Sequence, residues 1–246
     1  MTELLRAKNA VVTGGSRGIG RAIVERLARD GANVVFGYAS NTEQADAVVE
    51  ATADLPGEVY AVQADLFEGV DTLFKAFESH FDGLDILVNN AAAGFTPTLL
   101  REVTEDVYDR MMAINTKAVF LALQYAARHM RDGGRIVTLS TLNTRLAGPG
   151  ISVYAGSKGA VEQFSAVAAK ELGPRGITVN VVSPGATDTD LLRATNSPEG
   201  LAMAAKMSPL GRLGEPADIA DVVAFLVGPD GRWLTGQNLE ASGGLD

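Results

Sequence analysis

The stretch NAVVTGGSRGIG, residues 9–20, decides the fold of this chain. Its first five residues are mostly apolar and end at a glycine, which predicts a short buried strand. Glycines follow at Gly14, Gly18 and Gly20, and apolar residues then recur at four-residue steps, as in a helix. Such a turn presents backbone N–H groups to a negative phosphate at the helix N-terminus. The stretch therefore predicts a phosphate-binding turn, although its spacing differs from the G-x-G-x-x-G fingerprint.

Six further apolar runs have the length and the flanking residues of strands. They are Asn33–Gly37, Val59–Ala64, Ile86–Asn89, Arg135–Thr141, Thr178–Ser183 and Asn238–Ala241. Helical patterns separate them, and strands that alternate with helices form a parallel sheet covered on both faces. We predict a single α/β domain over residues 1–246, with a Rossmann-type, doubly wound parallel sheet of about seven strands. Residues 188–214 break this rhythm and predict an elaborated loop of the kind that often has a function.

The composition excludes several classes of function. Of the 246 residues, 46% are hydrophobic and 21% are charged, which predicts a globular chain with a substantial core. The net charge of -9 argues against a nucleic-acid partner, and no apolar run approaches the ~18 residues of a membrane helix. With no cysteine and only two histidines, we expect no disulfide, thiolate nucleophile or metal site. Because no targeting segment is visible, we expect a cytoplasmic protein.

The tip of the second predicted strand indicates which dinucleotide fits the turn. Sites specific for NAD usually place a carboxylate there, bonded to the ribose 2′-hydroxyl. Here Tyr38, Ser40 and Asn41 occupy the tip, and the first carboxylate is that of Glu43. Arg17, in the glycine-rich turn, is placed to attract a 2′-phosphate, although a solvated surface arginine explains it equally well. We predict NADP, as NADPH, rather than NAD.

A tyrosine and a lysine lie four residues apart in the stretch YAGSK, residues 154–158. This spacing puts Tyr154 and Lys158 on one helix face. A free tyrosine has a pKa near ~10, and a nearby ammonium group lowers that pKa towards the range of an efficient general acid or base. Taken alone, the pattern also fits an ordinary exposed Tyr–Lys pair.

Further motifs occur in a characteristic order along the chain. Besides the glycine-rich turn and the Tyr–Lys pair, they are Asp65-Leu66, Leu87–Ala91, Asn115, Pro184-Gly185, Gly211–Pro216 and Thr235–Gln237. Together they make the chain resemble the short-chain dehydrogenase/reductase superfamily over essentially its full length. Within that superfamily it is most similar to the 3-oxoacyl-carrier-protein reductase branch, whose members serve many substrates.

The resemblance implies a role for each matching residue. Tyr154 would donate a proton to the carbonyl oxygen as the nicotinamide delivers a hydride, Lys158 would bond the nicotinamide ribose and lower the pKa of Tyr154, and Asn115 would hold a water molecule of the proton relay. Besides Tyr154 and Lys158, the expected cofactor-binding residues are Gly14, Ser16, Arg17, Gly18, Ile19, Gly20, Tyr38, Ser40, Asn41, Asp65, Leu66, Asn90, Ala91, Pro184, Gly185, Thr187 and Thr189. Asp65 and Asn90 also fit turn-capping residues.

Two positions depart from the family pattern. The family usually has a serine thirteen residues before the tyrosine, where it polarises the substrate carbonyl, and this chain has Thr141 there, preceded by Ser140. Adjacent strand residues point to opposite faces, so the register favours Thr141 as the catalytic hydroxyl, whereas a slip at the strand end would present Ser140. Ala92 stands where the family commonly has glycine, which narrows the space beside the cofactor.

The resemblance implies an NADP-dependent oxidoreductase that transfers a hydride between NADP(H) and a carbonyl or alcohol. Its small-molecule substrate would be a ketone, a 3-oxoacyl thioester, a quinone-like ketone or a sugar-like alcohol, bound beside the 188–214 loop. Asn143 and Arg145 suggest a partly polar or anionic substrate, although Arg145 also fits a surface charge. The resemblance further implies a homotetramer. The alternative function is an NADP-binding sensor or scaffold without turnover, because a fold does not fix a function.

Overall fold

The computed structural model describes residues 4–245, so the first three residues and the last residue of the predicted domain lie outside it. The strands in this range are β1 Asn9–Thr13, β2 Asn33–Tyr38, β3 Val59–Gln63, β4 Leu84–Asn89, β5 Met130–Leu139, β6 Thr178–Pro184 and β7 Asn238–Ala241. They form one parallel sheet in the order β3-β2-β1-β4-β5-β6-β7. The predicted doubly wound α/β sheet is therefore confirmed.

Helices connect the strands and cover both faces of the sheet. Within residues 4–245 they are α1 Gly18–Arg29, α2 Thr42–Ala51, α3 Asp71–His80, α4 Glu105–Met112, α5 Ala118–His129, α6 Ser152–Leu172, α7 Asp190–Thr195, α8 Pro198–Met207 and α9 Pro216–Val227. A π-helical turn, Ala113–Lys117, joins α4 to α5. No helix of the described range combines the length and the apolar character needed to cross a membrane.

Alternate residues of the central strands supply two apolar cores on opposite faces of the sheet. Val12 and Phe36 pack in the core that includes α1 and α9, whereas Val11 and Val35 pack in the core that includes α3, α5 and α6. Burying each such side chain stabilises the fold by about 1.5–3 kcal/mol. Because both faces are covered, the strands are continuous apolar runs rather than alternating ones.

The start of β4 differs from the sequence prediction. The strand begins at Leu84 rather than Ile86. The prediction began two residues too late because the carboxylate of Asp85 interrupts the apolar pattern. This carboxylate is buried and accepts from Lys8 and Arg131, each at 3.1 Å. A buried charge is tolerated where opposite charges and hydrogen bonds surround it.

The end of β5 also differs from the prediction, and this difference bears on the site. The strand runs from Met130 to Leu139 rather than from Arg135 to Thr141. Ser140 and Thr141 therefore lie just beyond the strand, where the side chains need not follow its strict alternation. The bounds of β1, β2, β3, β6 and β7 agree with the prediction to within one residue.

The predicted loop at residues 188–214 contains the short helices α7 and α8. Its two ends come together where Thr187 pairs with Gly214 in an isolated bridge. Every residue of these two helices is at least partly exposed. The segment is thus an elaborated excursion whose helices lie outside the core.

Candidate active site

A cleft of about 540 Å³ opens at the carboxyl ends of the parallel strands. It is centred where β1 lies between β2 and β4, which is the point at which the strand order reverses. Open α/β sheets bind ligands at this switch point. The topology therefore places the glycine-rich turn after β1, the tip of β2 and the start of α6 around one cavity.

The glycine-rich turn is shaped so that side chains cannot replace its glycines. Gly14 and Gly18 have φ values of +69° and +54°, which glycine adopts without strain. A Cβ on Gly20 would lie 2.0 Å from the carbonyl oxygen of Gly14, and one on Gly14 would lie 2.9 Å from Cα of Ala91. The turn leads into the N-terminus of α1. The side chain of Arg17, the residue before this helix, forms no capping hydrogen bond to the described residues of α1. This bare cradle fits a phosphate group.

Asn90 and Asp65 border the cleft and also support the backbone. The amide of Asn90 donates to the carbonyl oxygens of Thr13 at 3.0 Å and Gly14 at 2.9 Å, which fixes the glycine-rich turn against the end of β4. Asp65 accepts from the backbone N–H of Phe67 at 2.9 Å. The turn-capping interpretation therefore applies to both residues, and it does not exclude contact with a ligand in the cleft.

The tip of β2 faces the cleft with polar, uncharged side chains. Tyr38, Ser40 and Asn41 all line the cavity, as the sequence predicts for a site without a carboxylate. The side chain of Asn41 also caps α2 by accepting from the N–H of Gln44 at 2.9 Å. Arg17 lies across the cleft mouth, with its guanidinium group 3.9 Å from the carboxylate of Asp190 on α7. Both partners are largely exposed, so this ion pair adds little stability.

The predicted catalytic pair lies at the start of α6, opposite the end of β5. The hydroxyl of Thr141 is near enough to the phenol of Tyr154 to lower the pKa of that phenol, and its Oγ1 also accepts from the N–H of Asn143 at 3.3 Å. Lys158, one turn further along, is buried, and its Nζ donates to the carbonyl oxygen of Leu139 at 2.8 Å. Ser140 also borders the cleft, but its hydroxyl donates to Oε1 of Glu162 at 2.5 Å. Which of the two hydroxyls polarises a substrate carbonyl stays a prediction.

Burial changes the acidity of both residues of the pair. It raises the pKa of Tyr154 above its ordinary value, and the nearby hydroxyl of Thr141 only partly opposes this effect. It lowers the pKa of Lys158 to about 8, while the negative charge of Glu162 acts in the opposite direction. In this structure the ammonium group of Lys158 is directed at Leu139, and burial is the largest effect on the pKa of Tyr154. That Lys158 lowers the pKa of Tyr154 stays a prediction.

Asn115 lies in the π-helical turn between α4 and α5 and is fully buried. Its Oδ1 accepts from the N–H of Ala93 at 2.8 Å, and its Nδ2 donates to Oγ of Ser157 at 3.1 Å. The side chain thus joins the loop after β4 to α6, directly beside Lys158. Its water-holding role stays a prediction.

The other predicted residues divide into those that line the cleft and those that lie outside it. The cleft-lining residues are Gly14, Ser16, Arg17, Gly18, Ile19, Gly20, Tyr38, Ser40, Asn41, Asp65, Leu66, Asn90, Ala91, Pro184 and Thr189. Gly185 instead lines a second cavity of about 230 Å³. Thr187 is buried, and its hydroxyl donates to the carbonyl oxygen of Gly185 at 3.1 Å. For these two residues the prediction of cofactor contact stays a prediction, since neither lines the cleft itself.

The contacts of Arg145 favour its interpretation as a surface charge. Its guanidinium group forms an ion pair with Glu240 on β7, so its charge is already compensated. The suggestion of an anionic substrate that rested on Arg145 therefore loses its basis.

Three residues near the cleft were missed by the sequence analysis. The ring of Phe95 stacks on that of Tyr154, Arg110 lines the cleft and lies over the ring of Phe67, and Glu162 binds Ser140. Glu162 could have been found, because it lies one further helical turn beyond Lys158. Phe95 and Arg110 carry no local signal, since loop and helix packing alone bring them to the site.

Comparison with known proteins agrees with this geometry. A family model described as Enoyl-(Acyl carrier protein) reductase matches residues 14–246. The chain belongs to the short-chain dehydrogenase/reductase superfamily. An uncharacterized oxidoreductase from Methylorubrum extorquens is 46% identical, with 98% of each chain covered. The assignment to the 3-oxoacyl-carrier-protein reductase branch stays a prediction.

Two further similar proteins have more specific names. The hydroxynaphthalene reductase-like protein Arp2 of Metarhizium majus is 41% identical, over 98% of this chain and 95% of its own. The angucycline C-6 ketoreductase LanV, whose structure was solved with bound NADP, is 43% identical and has a TM-score of 0.94. The match covers 100% of this chain and 98% of LanV. At these identities and this coverage the short-chain dehydrogenase/reductase fold is shared along nearly the whole chain.

Proposed function

We propose that the protein is an NADPH-dependent ketoreductase in which Tyr154 is the general acid. The observation that supports this most strongly is that Tyr154 and Lys158 line the same cleft as the glycine-rich turn, with the hydroxyl of Thr141 close to the phenol. A hydroxyl pair beside a buried ammonium group can polarise a carbonyl oxygen and deliver a proton to it.

The residues of the cleft fit NADPH. The glycine cradle would hold the diphosphate at the N-terminus of α1, and Arg17 with Ser40 would hold a 2′-phosphate at the carboxylate-free tip of β2. LanV, which binds NADP, supports this choice of cofactor. When bound, NADPH supplies the hydride that reduces the carbonyl carbon. The cleft residues orient the cofactor and the substrate for this transfer.

The proton then comes from the protein. Tyr154 donates its phenolic proton to the carbonyl oxygen, and Thr141 stabilises the developing negative charge by hydrogen bonding. Because burial raises the pKa of Tyr154, the phenol is protonated at neutral pH and available as an acid. Lys158 would bond the nicotinamide ribose, and its positive charge favours the tyrosinate that the step leaves behind. Asn115 would hold a water molecule that replaces the proton.

We further propose that the substrate is an apolar ketone with a ring system. Phe95 stacks on Tyr154, and the α8 helix in the segment 188–214 exposes Met203 and Met207. Aromatic and thioether groups favour flat apolar ligands. The printed names of Arp2 and LanV, a hydroxynaphthalene reductase-like protein and an angucycline ketoreductase, support a ring ketone over a linear 3-oxoacyl thioester.

The oligomeric state and the location remain proposals as well. Phe120 on α5 and Val167 on α6 are about half exposed, which supports burial of these helices in the homotetramer expected from the sequence. We propose that this assembly is cytoplasmic. Light scattering on the purified protein would test the assembly, and a mass of one chain would contradict it.

The function is tested by following the loss of reduced nicotinamide absorbance. NADPH and NADH are each offered with bicyclic aromatic ketones and, separately, with linear 3-oxoacyl thioesters. We expect faster oxidation of NADPH, and only with the ring ketones. Tight NADPH binding without turnover of any carbonyl compound would instead support the sensor function.

A further inference from the structure

Three side chains follow one another along a single face of α6. Tyr154, Lys158 and Glu162 lie at successive four-residue steps, so each lies one turn beyond the last. Opposite them is the end of β5, where the chain passes through Leu139, Ser140 and Thr141. Two of these residues hold a side chain of the helix face by a hydrogen bond: Leu139 accepts from Lys158, and Ser140 donates to Glu162. The hydroxyl of Thr141 is close enough to Tyr154 to lower its pKa.

Ser140, which binds Glu162, is itself held in place by the neighbouring backbone. Ser140 is buried, and its backbone N–H donates to the carbonyl oxygen of Val182 on β6 at 2.8 Å. Its hydroxyl donates to Oε1 of Glu162 at 2.5 Å, a short distance typical of a hydrogen bond to a charged acceptor. The carboxylate is therefore fixed on the side of Lys158 that faces away from Tyr154.

Lys158 needs such a neighbour because its charge is buried. Its Nζ has the carbonyl oxygen of Leu139 as a partner, and one neutral acceptor does not compensate an ammonium group taken out of water. The negative charge of Glu162 favours the charged form of Lys158 and opposes the effect of burial. Glu162 thereby opposes deprotonation of Lys158, and the proposed roles of Lys158 depend on its ammonium form.

We propose that Glu162, held by Ser140, is a positioning residue that keeps the buried side chain of Lys158 protonated and fixed at the floor of the cleft. Glu162 acts through Lys158 and need not touch substrate or cofactor. The proposal goes beyond the tetrad of the superfamily, and only its kinetic test rests on the proposed ketoreductase function.

Other charged groups near Lys158 are few in the described part of the chain. On α6 itself, Tyr154 and Glu162 flank it, and the residues of β6 opposite the helix, TVNVVSP, carry no titratable side chain. Arg110 on α4 lines another part of the same cleft, and Lys117 in the π-helical turn is exposed. Glu162 is therefore the carboxylate to change.

The direct test is an NMR titration of the protein labelled with carbon-13 at the lysine Cε atoms. In the unchanged protein, the Lys158 signal, assigned through its absence in Lys158→Met, should titrate near pH 8. In Glu162→Gln we expect this titration to move down by about one pH unit. Ser140→Ala keeps the carboxylate of Glu162 but removes the hydrogen bond that holds it. In this variant the titration of Lys158 should move in the same direction by a smaller amount. Glu162→Asp, which keeps the charge, should recover most of the original value.

The matched control is Glu171→Gln, which removes the same charge from an exposed position on the same helix. It should leave the titration of Lys158 unchanged. A Lys158 titration that is the same in Glu162→Gln as in the unchanged protein would overturn the proposal, and so would an equal shift in both glutamine variants.

A second readout uses the proposed reaction. In Glu162→Gln the alkaline limb of the profile of kcat/KM against pH should move down by about one unit, with little loss near pH 6, because Lys158 stays protonated there. A loss of activity that is equal at all pH values would contradict a positioning role. If no ketone is turned over, the ketoreductase proposal fails, while the NMR titration still decides the role of Glu162.

Discussion

The ring of Phe95 lies nearly parallel to the ring of Tyr154, with the centroids 4.5 Å apart and the planes at 19°. Phe95 belongs to the loop after β4, whereas Tyr154 begins α6, so the contact joins two segments that are distant in sequence. An offset stack of this kind restricts how far the phenol can rotate out of the cleft. We infer that Phe95 holds the general acid in position for proton transfer.

Replacing Phe95 with alanine should therefore slow the reaction. An aromatic pair contributes about 0.5–1.5 kcal/mol beyond its buried area, so we expect kcat to fall about threefold to tenfold. Steady-state kinetics with a ring ketone would measure this. Phe225→Ala, at a half-exposed aromatic residue of α9, is the control and should retain its kcat. Full activity of Phe95→Ala would show that the stack is dispensable.

Replacing Tyr154 with phenylalanine should abolish turnover. The ring and its stack on Phe95 remain, but the proton donor is lost. NADPH binding, measured by the fluorescence of the reduced nicotinamide, should change by less than about twofold because the glycine cradle is untouched. Substantial ketone reduction by this variant would exclude Tyr154 as the general acid.

The hydroxyl at position 141 should matter more than the methyl group beside it. Thr141→Ser keeps a hydroxyl close to Tyr154 and should remain active, whereas Thr141→Ala should lose about 2–4 kcal/mol of transition-state stabilisation. Comparison of kcat/KM for the two variants would measure this difference. If Ser140→Ala were inactive at every pH while Thr141→Ala remained active, Ser140 would be the polarising residue.

Arg17 should discriminate between the two dinucleotides. Arg17→Ala removes the cation nearest to the expected 2′-phosphate, so the Kd for NADPH should rise about tenfold while that for NADH stays nearly constant. The control is Arg21→Ala, one turn along α1, where the guanidinium group is paired with Glu25 at 2.7 Å. Equal weakening of both cofactors by Arg17→Ala would assign the arginine to the shared diphosphate instead.

Burial of Lys158 should make the protein more stable as the pH rises above neutral. Its pKa is about 8 in the folded chain and 10.5 ordinarily, so between these values the unfolded chain binds more protons and the free energy of unfolding increases with pH. The cost of the buried charge is fully present below about pH 8 and is relieved towards about pH 10.5.

Lys158→Met isolates this effect because other groups titrate alike in both proteins. The free energy of unfolding of Lys158→Met minus that of the unchanged protein should fall by about 3 kcal/mol between neutral pH and about pH 10.5. Urea unfolding at a series of pH values would measure the difference. A gap that does not change with pH would mean that the pKa of Lys158 is not lowered.

Much of the fold follows from local patterns in the sequence. Valine-rich runs and four-residue apolar spacing predict the strands and helices, since a strand covered on both faces must be apolar throughout. The fold departs from those patterns where polar residues are buried with partners from elsewhere, as Asp85 is with Lys8 and Arg131. Such pairs are invisible to a local pattern because the compensating charge is distant in the chain.

The sequence by itself determined the phosphate turn and the Tyr154–Lys158 pair, because both depend on spacing within one short segment. Only the tertiary structure decided that Ser140 meets Glu162, since β5 ends at Leu139 and the position of α6 determines which partner a hydroxyl beyond that strand meets. The same holds for Arg145, whose charge is paired with Glu240 on β7. The direction of a side chain beyond a strand end, and the partner of a charge, depend on packing between distant elements, which no local spacing records.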